Sequence, residues 1–415
     1  MSKPGAVPPT LEQAQPGAPR FLGKNGLGAG VQRLTIALTA FLTLIDLFAV
    51  QAILPSLATR YAVSPAQIGA AANACTLGMA VASLATALLS QRIDRRLGIA
   101  LSLALLSIPT AALAFVQDLT LFTILRIAQG ALMASAFTLM LAYLGEHFTR
   151  SESATAFAAF VTGNVLSNLA GRMMSASLAG SFGLEATFLS FSLLNLLGAG
   201  LVAITVARAE RSGTPQKSAS AGLSALRRHL ANSELRKSFL IGFLILFVFI
   251  GVFTYVNFVL VAPPLGLGMM QLGLVYLVFL PSMVTTLVAG KVALMIGVRR
   301  SLWLFLGLAC IGLPLLLAGS LIPVLAGLTL VAIGTFAAQA VATGHVGATA
   351  LTDRGAASGL YLGAYFSGGL AGSIILGRVY EAGGWPACIT AIGVATLLAI
   401  ALSARLSRVE AASGT

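Results

Sequence analysis

Charged side chains are scarce in this sequence. Asp, Glu, Lys and Arg make up 9% of the 415 residues, whereas a soluble domain carries about 25%. Hydrophobic residues make up 58%. A chain with so few polar groups cannot hydrate the surface of a folded soluble protein. The composition therefore excludes that class of protein.

Cysteine and histidine are also rare, with three of each. Cys75, Cys310 and Cys388 lie in separate apolar runs without metal-ligand spacing, which indicates buried thiols. The sequence contains no GxxxxGK(S/T) motif, and this argues against an ATP-driven pump. It also carries no catalytic signature of a soluble enzyme. We therefore expect no metal, no cofactor and no enzymatic activity.

Long continuous apolar runs take up most of the chain. About 20 apolar residues in a helix cross a bilayer, and unbroken runs exclude the alternating pattern of transmembrane β-strands. The sequence thus predicts an all-α polytopic membrane protein. The twelve predicted transmembrane helices span approximately residues 33–57, 66–89, 98–117, 119–142, 153–179, 184–208, 238–261, 270–292, 300–319, 322–346, 356–379 and 385–406.

The connections between these helices are short, with one exception. The predicted divisions are an N-terminal tail (1–32), a six-helix bundle (33–208), a linker (209–237), a second six-helix bundle (238–406) and a C-terminal tail (407–415). The linker is polar and basic. Its amphipathic stretch near Leu223–Leu230 is typical of a helix that lies on a membrane surface.

Basic residues outnumber acidic residues by 25 to 12, which gives a net charge of +13. In a soluble protein such an excess suggests nucleic-acid binding. Here the basic residues concentrate in the tails, the linker and loops on one side, so membrane orientation explains them better. This distribution places both termini and the linker on the cytoplasmic side. The predicted location of the protein is a bacterial-type inner membrane. The predicted partners are the lipid bilayer and a small-molecule solute, with no nucleic acid, and we expect a monomer.

Two short basic turns lie at the same place in the two halves of the chain. The first runs from Ser90 to Gly98, after helix 2, and the second from Gly290 to Arg300, after helix 8. This correspondence indicates a six-helix repeat. Two six-helix halves joined by a cytoplasmic linker are the architecture of many secondary transporters.

The first turn is similar to the loop signature G-x-x-x-D-R-x-G-R-(R/K) of the major facilitator superfamily. Asp94 and Arg95 match, Ser90 replaces the first glycine, and Gly98 comes one residue late. The copy after helix 8 keeps Gly290, Gly297 and Arg299 but has Leu294 in place of the acid. In that family the acid of the loop braces the cytoplasmic gate near the N-terminus of helix 11, and the resemblance implies the same role for Asp94.

Helix 4 carries a second and more specific signature. Phe122-x-x-x-Arg126-x-x-Gln129-Gly130 is similar to the family's L-x-x-x-R-x-x-Q-G. Asp46, nine residues before Pro55, resembles the Asp…Leu-Pro pattern of proton-coupled exporters. The resemblance implies the family's fold, with proton coupling at Asp46 and Arg126.

The family resemblance continues in helices 5 and 11. The segments 163–172 and 357–374 resemble bacterial efflux permeases of the arabinose-efflux type. The helix 5 segment, however, lacks the G-P-x-x-G-G ending that is typical of drug/proton antiporters. The resemblance therefore says little about the substrate.

Three charged residues fall inside predicted helices, namely Asp46, Arg126 and Arg172. A charge at the bilayer centre costs roughly 2.5–3.5 kcal/mol on insertion scales, so it normally faces a cavity or a partner. One interpretation is a structural ion pair that locks helices 1, 4 and 5 together. The other is a role in coupling or substrate binding. Of the three side chains, Asp46 alone can exchange a proton near neutral pH.

Several polar side chains are candidates for a substrate cavity. Asn164, Asn168, Arg172 and Ser175 follow one face of helix 5, which predicts a cavity lining, with interhelical packing as the alternative. Gln339 in helix 10 and Tyr361 and Tyr365 in helix 11 are further candidates, and the tyrosines suit a packing role equally well.

The sequence as a whole predicts a secondary active transporter that works by alternating access. Proton-coupled efflux of a small organic solute is the favoured function. The alternative is an importer or uniporter of a small anionic solute, because two arginines accompany one acid. A non-transporting membrane sensor or scaffold is a remote alternative, since the chain offers only short tails and a short linker.

Overall fold

The structure is a computed structural model that describes residues 29–89, 93–147, 150–206, 219–350 and 352–406. Within these ranges the chain forms helices and no β-strand. Several predicted features lie outside the described residues: Ser90 of the first basic turn, nearly all of the N-terminal tail, the start of the linker and the C-terminal tail.

Fourteen α-helices account for the described chain. They are α1 (Ala29–Ala52), α2 (Leu54–Tyr61), α3 (Pro65–Asn73), α4 (Cys75–Leu89), α5 (Arg95–Phe115), α6 (Leu119–His147), α7 (Arg150–Thr205), α8 (Ala219–Ala231), α9 (Ser233–Val261), α10 (Met269–Val275), α11 (Leu280–Ile296), α12 (Val298–Leu315), α13 (Leu321–Thr349) and α14 (Arg354–Ala404). A short 3-10 helix, Tyr276–Phe279, joins α10 to α11.

Ten segments of the described chain are long and apolar enough to cross a membrane. Two of them, Ala159–Thr205 and Arg354–Ala404, contain 47 and 51 residues. At 1.5 Å per residue each is about 70 Å long or more, which is over twice the hydrocarbon thickness of about 30 Å. The predicted count of twelve transmembrane helices requires each long segment to cross twice, and that count remains a prediction.

A glycine interrupts each of the two long helices. Gly183 in α7 has φ 86° and ψ 173°, and Gly384 in α14 has φ 68° and ψ −167°. Such positive φ angles are accessible to glycine at little cost and strained for other residues. Both breaks lie at the junctions that the sequence predicts, between 179 and 184 and between 379 and 385.

The eighth predicted helix, about residues 270–292, is also divided in the structure, and Pro281 explains the division. Proline lacks the amide proton that an α-helix requires, and its ring clashes with the preceding turn. The chain accommodates it by forming the 3-10 segment Tyr276–Phe279 and restarting as α11 with Pro281 in its first turn.

The helices pack as two groups. In the first group α7 packs on α1 and α5, and α6 packs on α4 and α5. In the second group α14 packs on α9 and α12, and α13 packs on α11 and α12. The groups meet where α3 and α4 contact α14 and where α10 contacts α7.

Small residues permit the closest of these approaches between the groups. A Cβ atom placed on Gly359 of α14 would lie 2.6 Å from the Cβ of Ala87 in α4. Gly363, one turn further along, faces the main-chain oxygen of Ala80. Gly359 and Gly363, four residues apart on α14, therefore serve close helix packing.

Candidate functional site

Asp46 lies in the interior of the first group of helices, with 2% of its surface exposed. The hydroxyl of Thr110 on α5 lies 3.2 Å from its Oδ1 and 2.8 Å from the main-chain oxygen of Leu106, so these two acceptors share its single proton. Thr110 in turn accepts hydrogen bonds from Gln129 Nε2 on α6 at 2.7 Å and from Asn195 Nδ2 on α7 at 3.3 Å. Asp46 Oδ2 has no hydrogen-bond partner among the described residues. One threonine therefore links this carboxylate to three other helical segments.

Arg126 on α6 is as buried as Asp46 but does not form an ion pair with its carboxylate. Its Nη1 donates to Gln129 Oε1 at 2.7 Å and reaches Asp46 only at the main-chain oxygen, at 3.4 Å. Its Nε donates to the main-chain oxygen of Ala72 at 2.8 Å, and Nη2 to Cys75 Sγ at 3.1 Å. The structural ion pair that the sequence suggested as one interpretation is thus not formed.

The reason lies in the break between α3 and α4. A helix end leaves main-chain carbonyls without helical donors, and Ala72 lies in the last turn of α3. The guanidinium of Arg126 turns toward this break, which leaves Gln129 and Thr110 to connect it with Asp46.

Arg172 on α7 forms a separate site and is completely buried. It donates hydrogen bonds to the side-chain oxygens of Asn168 and Gln51. Five aromatic rings surround its guanidinium, with centroids between 4.7 and 5.7 Å from Cζ: Phe48, Phe249, Phe253, Tyr276 and Phe279. Among the described residues the ion pairs are Arg228–Asp353 and Lys237–Glu234, so no acid pairs with Arg172. The three intramembrane charges therefore do not form one cluster.

A chain of buried amides connects the two groups of helices beside Arg172. Gln51 Nε2 donates to Asn73 Oδ1 at 3.2 Å, and Asn73 Nδ2 donates to Thr254 Oγ1 at 3.0 Å. Asn257 Nδ2 donates to the main-chain oxygen of Gln51 at 3.0 Å, and Tyr276 donates to Asn257 Oδ1. We call these five residues the amide layer. None of the five is among the site residues predicted from the sequence, although isolated amides in long apolar helices are a signal for interhelical hydrogen bonds.

A cavity of about 50 Å³ lies between the groups of helices. One ordered water needs roughly 10–15 Å³ of such space, so the cavity has room for a few water molecules and no more. Leu47, Phe48 and Asn164 line it from the first group. The lining from the second group includes Phe249, Ile250, Thr335, Gln339 and Tyr365. Its wall is largely apolar and aromatic.

The structure brings together only part of the predicted cavity set. Asn164, Gln339 and Tyr365 line the cavity, whereas Asn168 and Arg172 lie behind its wall. Tyr361 is also outside the lining, and its ring packs against Gly242 of α9. The helix 5 stripe thus runs from the cavity at Asn164 toward the buried cation.

Residues 36–282 match the family model described as Major Facilitator Superfamily. This is more than half of the chain. The chain belongs to the Major Facilitator Superfamily. It is therefore a secondary transporter and a multi-pass membrane protein, and the predicted fold class is confirmed.

Two relatives and one solved structure illustrate the similarity. The MFS-type transporter YybF of Bacillus subtilis (strain 168) is 26% identical over 380 residues, covering 91% of this chain and 94% of the relative. The inner membrane transport protein YnfM of Escherichia coli (strain K12) is 26% identical, with 91% of each chain covered. The crystal structure of a bacterial homolog of the human lysosomal transporter Spinster matches with a TM-score of 0.70 at 15% identity, covering 91% of this chain and 94% of that one.

The major facilitator loop signature takes a distinct form here. Asp94 caps its own helix, because the Leu97 amide donates to its Oδ1 at 2.9 Å. The acid at the start of α14 is Asp353, whose carboxylate accepts from Arg228 of α8 at 2.6 Å. The gating role that the resemblance implies for Asp94 stays a prediction.

The other residues of this signature have local packing roles. Buried Arg95 donates to the main-chain oxygen of Ile93 at 3.4 Å. Gly98 lies close to α6, where a Cβ atom would come within 2.6 Å of Leu139. In the second copy Gly290 has open space around it and Gly297 turns the chain between α11 and α12 with φ 84°. The guanidinium of Arg299 stacks 4.5 Å from the ring centroid of Trp303.

Proposed function

We propose that this transporter is a proton-coupled exporter of a small organic solute, which acts as a monomer in a bacterial-type inner membrane with both termini in the cytoplasm. The observation that carries the proposal is the environment of Asp46. Its carboxylate is buried, one of its oxygens has no partner in the described part of the chain, and the other is bound by Thr110. An acid held in this way responds strongly to gain or loss of a proton.

The position of Asp46 supports a link between protonation and substrate. Asp46 itself faces the interior of the first group of helices, but Leu47 and Phe48 on the same helix line the cavity. Gln51, five residues further along α1, belongs to the amide layer. A change in how Asp46 binds Thr110 therefore acts on a helix that carries the cavity wall and an interhelical contact.

The cavity supports alternating access. Its volume of about 50 Å³ is far below the roughly 300–1,000 Å³ of pockets for drug-sized ligands. Its walls come from both groups of helices, so a rocking movement of one group against the other enlarges it. An electrical gradient supplies about 2.3 kcal/mol per transported charge per 100 mV, which drives expulsion of a solute without ATP.

The experiment is transport in proteoliposomes with an imposed pH gradient and a pH-sensitive dye in the lumen. A panel of labelled organic solutes identifies a substrate whose movement is accompanied by proton flux in the opposite direction. Asp46→Asn should abolish uphill transport while downhill exchange continues. Asp118→Asn is the matched control, because Asp118 is an exposed cap of α6 and asparagine caps equally well. Uphill transport by Asp46→Asn in response to the pH gradient would remove the coupling assignment.

An importer or uniporter of an anionic solute is the second candidate. The observation in its favour is the absence of an ion-pair partner for Arg172 among the described residues. The same transport assay distinguishes it, because a uniporter equilibrates its solute but does not concentrate it when the pH gradient is applied.

A further inference from the structure

Arg126 and Arg172, the two fully buried arginines among the described residues, differ in which group of helices they contact. All hydrogen-bond partners of Arg126 belong to the first group: Ala72, Cys75, Gln129 and the main chain of Asp46. Four of the five rings around Arg172 belong to the second group, with two on α9 and two on the 3-10 segment. Arg126 is thus internal to one group, and Arg172 faces the interface between them.

The charge of Arg172 is not neutralised by an acid within the described structure. Its hydrogen-bond acceptors are two amide oxygens, from Gln51 and Asn168, and the surrounding ring faces supply weaker cation–π attraction. Burial of a charge without an opposite charge is strongly unfavourable. The arrangement therefore favours an anion whenever the rings move away.

The guanidinium lies directly behind the cavity wall. Phe48 and Phe249 both line the cavity, and their ring centroids are 5.1 and 5.7 Å from Cζ of Arg172. Phe48 belongs to the first group and Phe249 to the second. Separation of the two groups on the side of the amide layer takes Phe249, Phe253, Tyr276 and Phe279 away from Arg172 and opens it to the cavity.

Two hydrogen-bond donors at this place are without partners. Arg172 Nε and Asn168 Nδ2 make no hydrogen bond to any described residue, although both side chains are completely buried. Asn168 is one turn from Arg172 on the same helix face, and Asn164, one turn further, lines the cavity. A guanidinium and an adjacent amide are the donors that recognise a carboxylate.

We propose that Arg172 and Asn168 bind the carboxylate of an organic anion whose apolar body occupies the cavity between the two groups of helices. The inference rests on the proposed transport function and names its substrate class. The leucine, isoleucine and phenylalanine side chains of the wall fit an aliphatic or aromatic body. In the absence of substrate the aromatic rings of the second group cover the cation in place of the carboxylate.

The test is ligand binding to the full-length protein in detergent, followed by thermal unfolding. The probes are 3-phenylpropanoate, 3-phenylpropanamide and 3-phenylpropylamine, which share a body and carry charges of −1, 0 and +1. The series extends to carboxylates with two to seven methylene groups. We expect a saturable rise in Tm with carboxylates and no saturable rise with the amide or amine.

Three variants test the assignment to these residues. Arg172→Gln should lose the carboxylate-dependent rise in Tm, and Arg172→Lys should bind at least tenfold more weakly because lysine lacks the planar donor pair. Asn168→Asp places an acid beside the cation, so it should abolish carboxylate binding without lowering Tm of the free protein. Asn168→Asp remains informative even when Arg172→Gln fails to fold. Arg236→Gln, at an exposed position on α9, is the control and should bind normally.

The results of these measurements separate the anion site from the proposed proton coupling. Equal stabilisation by amide and carboxylate, no stabilisation by any carboxylate of the series, or undiminished carboxylate binding by Asn168→Asp would overturn the inference. Carboxylate binding through Arg172 without proton-driven transport would overturn the proposed coupling alone. Proton-driven transport of neutral or cationic solutes alone would overturn the anion site and leave the coupling intact.

Discussion

Asn257 on α9 donates a hydrogen bond to the main-chain oxygen of Gln51 on α1, with a distance of 3.0 Å between the two atoms. This bond joins the two groups of helices where α1 approaches its end at Ala52. The same amide donates to Phe253 O within its own helix, and its oxygen accepts from Tyr276. Any movement that separates the groups on this side has to break the bond between Asn257 and Gln51.

Replacement of Asn257 by leucine should favour opening on the side of the amide layer. The change removes the bond to Gln51 and leaves Tyr276 without its acceptor. Hydrogen bonds between membrane helices contribute about 0.6 kcal/mol on average and at most about 1.7 kcal/mol, so we expect a shift of that size in the opening equilibrium. Electron–electron distance measurements between spin labels at Thr59 and Gly266 check it.

The expected result for Asn257→Leu is a larger population at long label distances. Thr390→Val is the control, because Thr390 is exposed and its hydroxyl bonds within its own helix, to Pro386. An unchanged distance distribution in Asn257→Leu would contradict a gating role for the amide layer.

The sequence predicts the helices of this protein better than the contacts between its polar side chains. Apolar length and the positions of Gly183, Pro281 and Gly384 are local properties, and the breaks within α7 and α14 and between α10 and α11 lie at or next to these residues. Whether Asp46 pairs with Arg126 depends instead on the direction in which the long side chain of Arg126 turns. In the structure the side chain of Arg126 turns to the main-chain oxygen of Ala72, in the last turn of α3.

The amide layer illustrates the same limit. Gln51 and Asn257 are each single amides in apolar helices, and 206 residues separate them. Helical periodicity places each residue on a face of its own helix but does not say which helix it meets. The contact between Arg172 and the rings of α9 is unpredictable for the same reason.

Membrane orientation remains a prediction that cysteine labelling tests. The distribution of basic residues places the linker on the cytoplasmic side, and the loop between α9 and α10 then lies on the opposite side. A cysteine at Ser218 should react with a membrane-impermeant maleimide only after the membrane is opened, and a cysteine at Gly266 should react in intact cells. Of the native cysteines, Cys75 and Cys388 are buried and Cys310 is half-buried, so the protein without an introduced cysteine serves as the control for background labelling. Labelling of both positions from one side would contradict the proposed orientation.

Gly359 should be required for the contact between α4 and α14. A Cβ atom there would lie 2.6 Å from Ala87 Cβ, so valine forces the two helices apart. Overpacking costs about 1–3 kcal/mol, which corresponds to about a 5- to 150-fold change in an equilibrium between conformations. We expect Gly359→Val to be inserted and folded but to transport slowly.

Gly355→Val provides the matched control for this contact. Gly355 is one turn earlier in α14 and has no neighbouring atom within 4 Å of a Cβ position. Transport rates and cysteine cross-linking between α4 and α14 are compared in the two variants. Equal transport by Gly359→Val and Gly355→Val would show that the close approach is dispensable.

Thr110 should be as important to coupling as Asp46, although its side chain carries no charge. Its hydroxyl shares its proton between Asp46 Oδ1 and the main-chain oxygen of Leu106, and it accepts from Gln129 and Asn195. Thr110→Val keeps the shape and leaves the buried side chains of Asp46, Gln129 and Asn195 without this partner, at a cost of about 1–3 kcal/mol. Unfolding in SDS measures that loss, and proton-driven transport should fall while substrate binding is retained. Thr123→Val is the control, because the hydroxyl of Thr123 bonds to Leu119 of its own helix.

The connection through Thr110 also predicts how two changes combine. If Asp46 acts on α5 and α6 through the hydroxyl of Thr110, Thr110→Val removes that connection. Asp46→Asn should then have little further effect on stability and proton-driven transport in the Thr110→Val background. The double variant should therefore deviate from the sum of the single variants by about 0.5–3 kcal/mol, as residues of one hydrogen-bond network do. Thr123→Val combined with Asp46→Asn should instead be additive. Additive effects of Thr110→Val and Asp46→Asn on both stability and proton-driven transport would mean that Asp46 is coupled to the rest of the protein by another route.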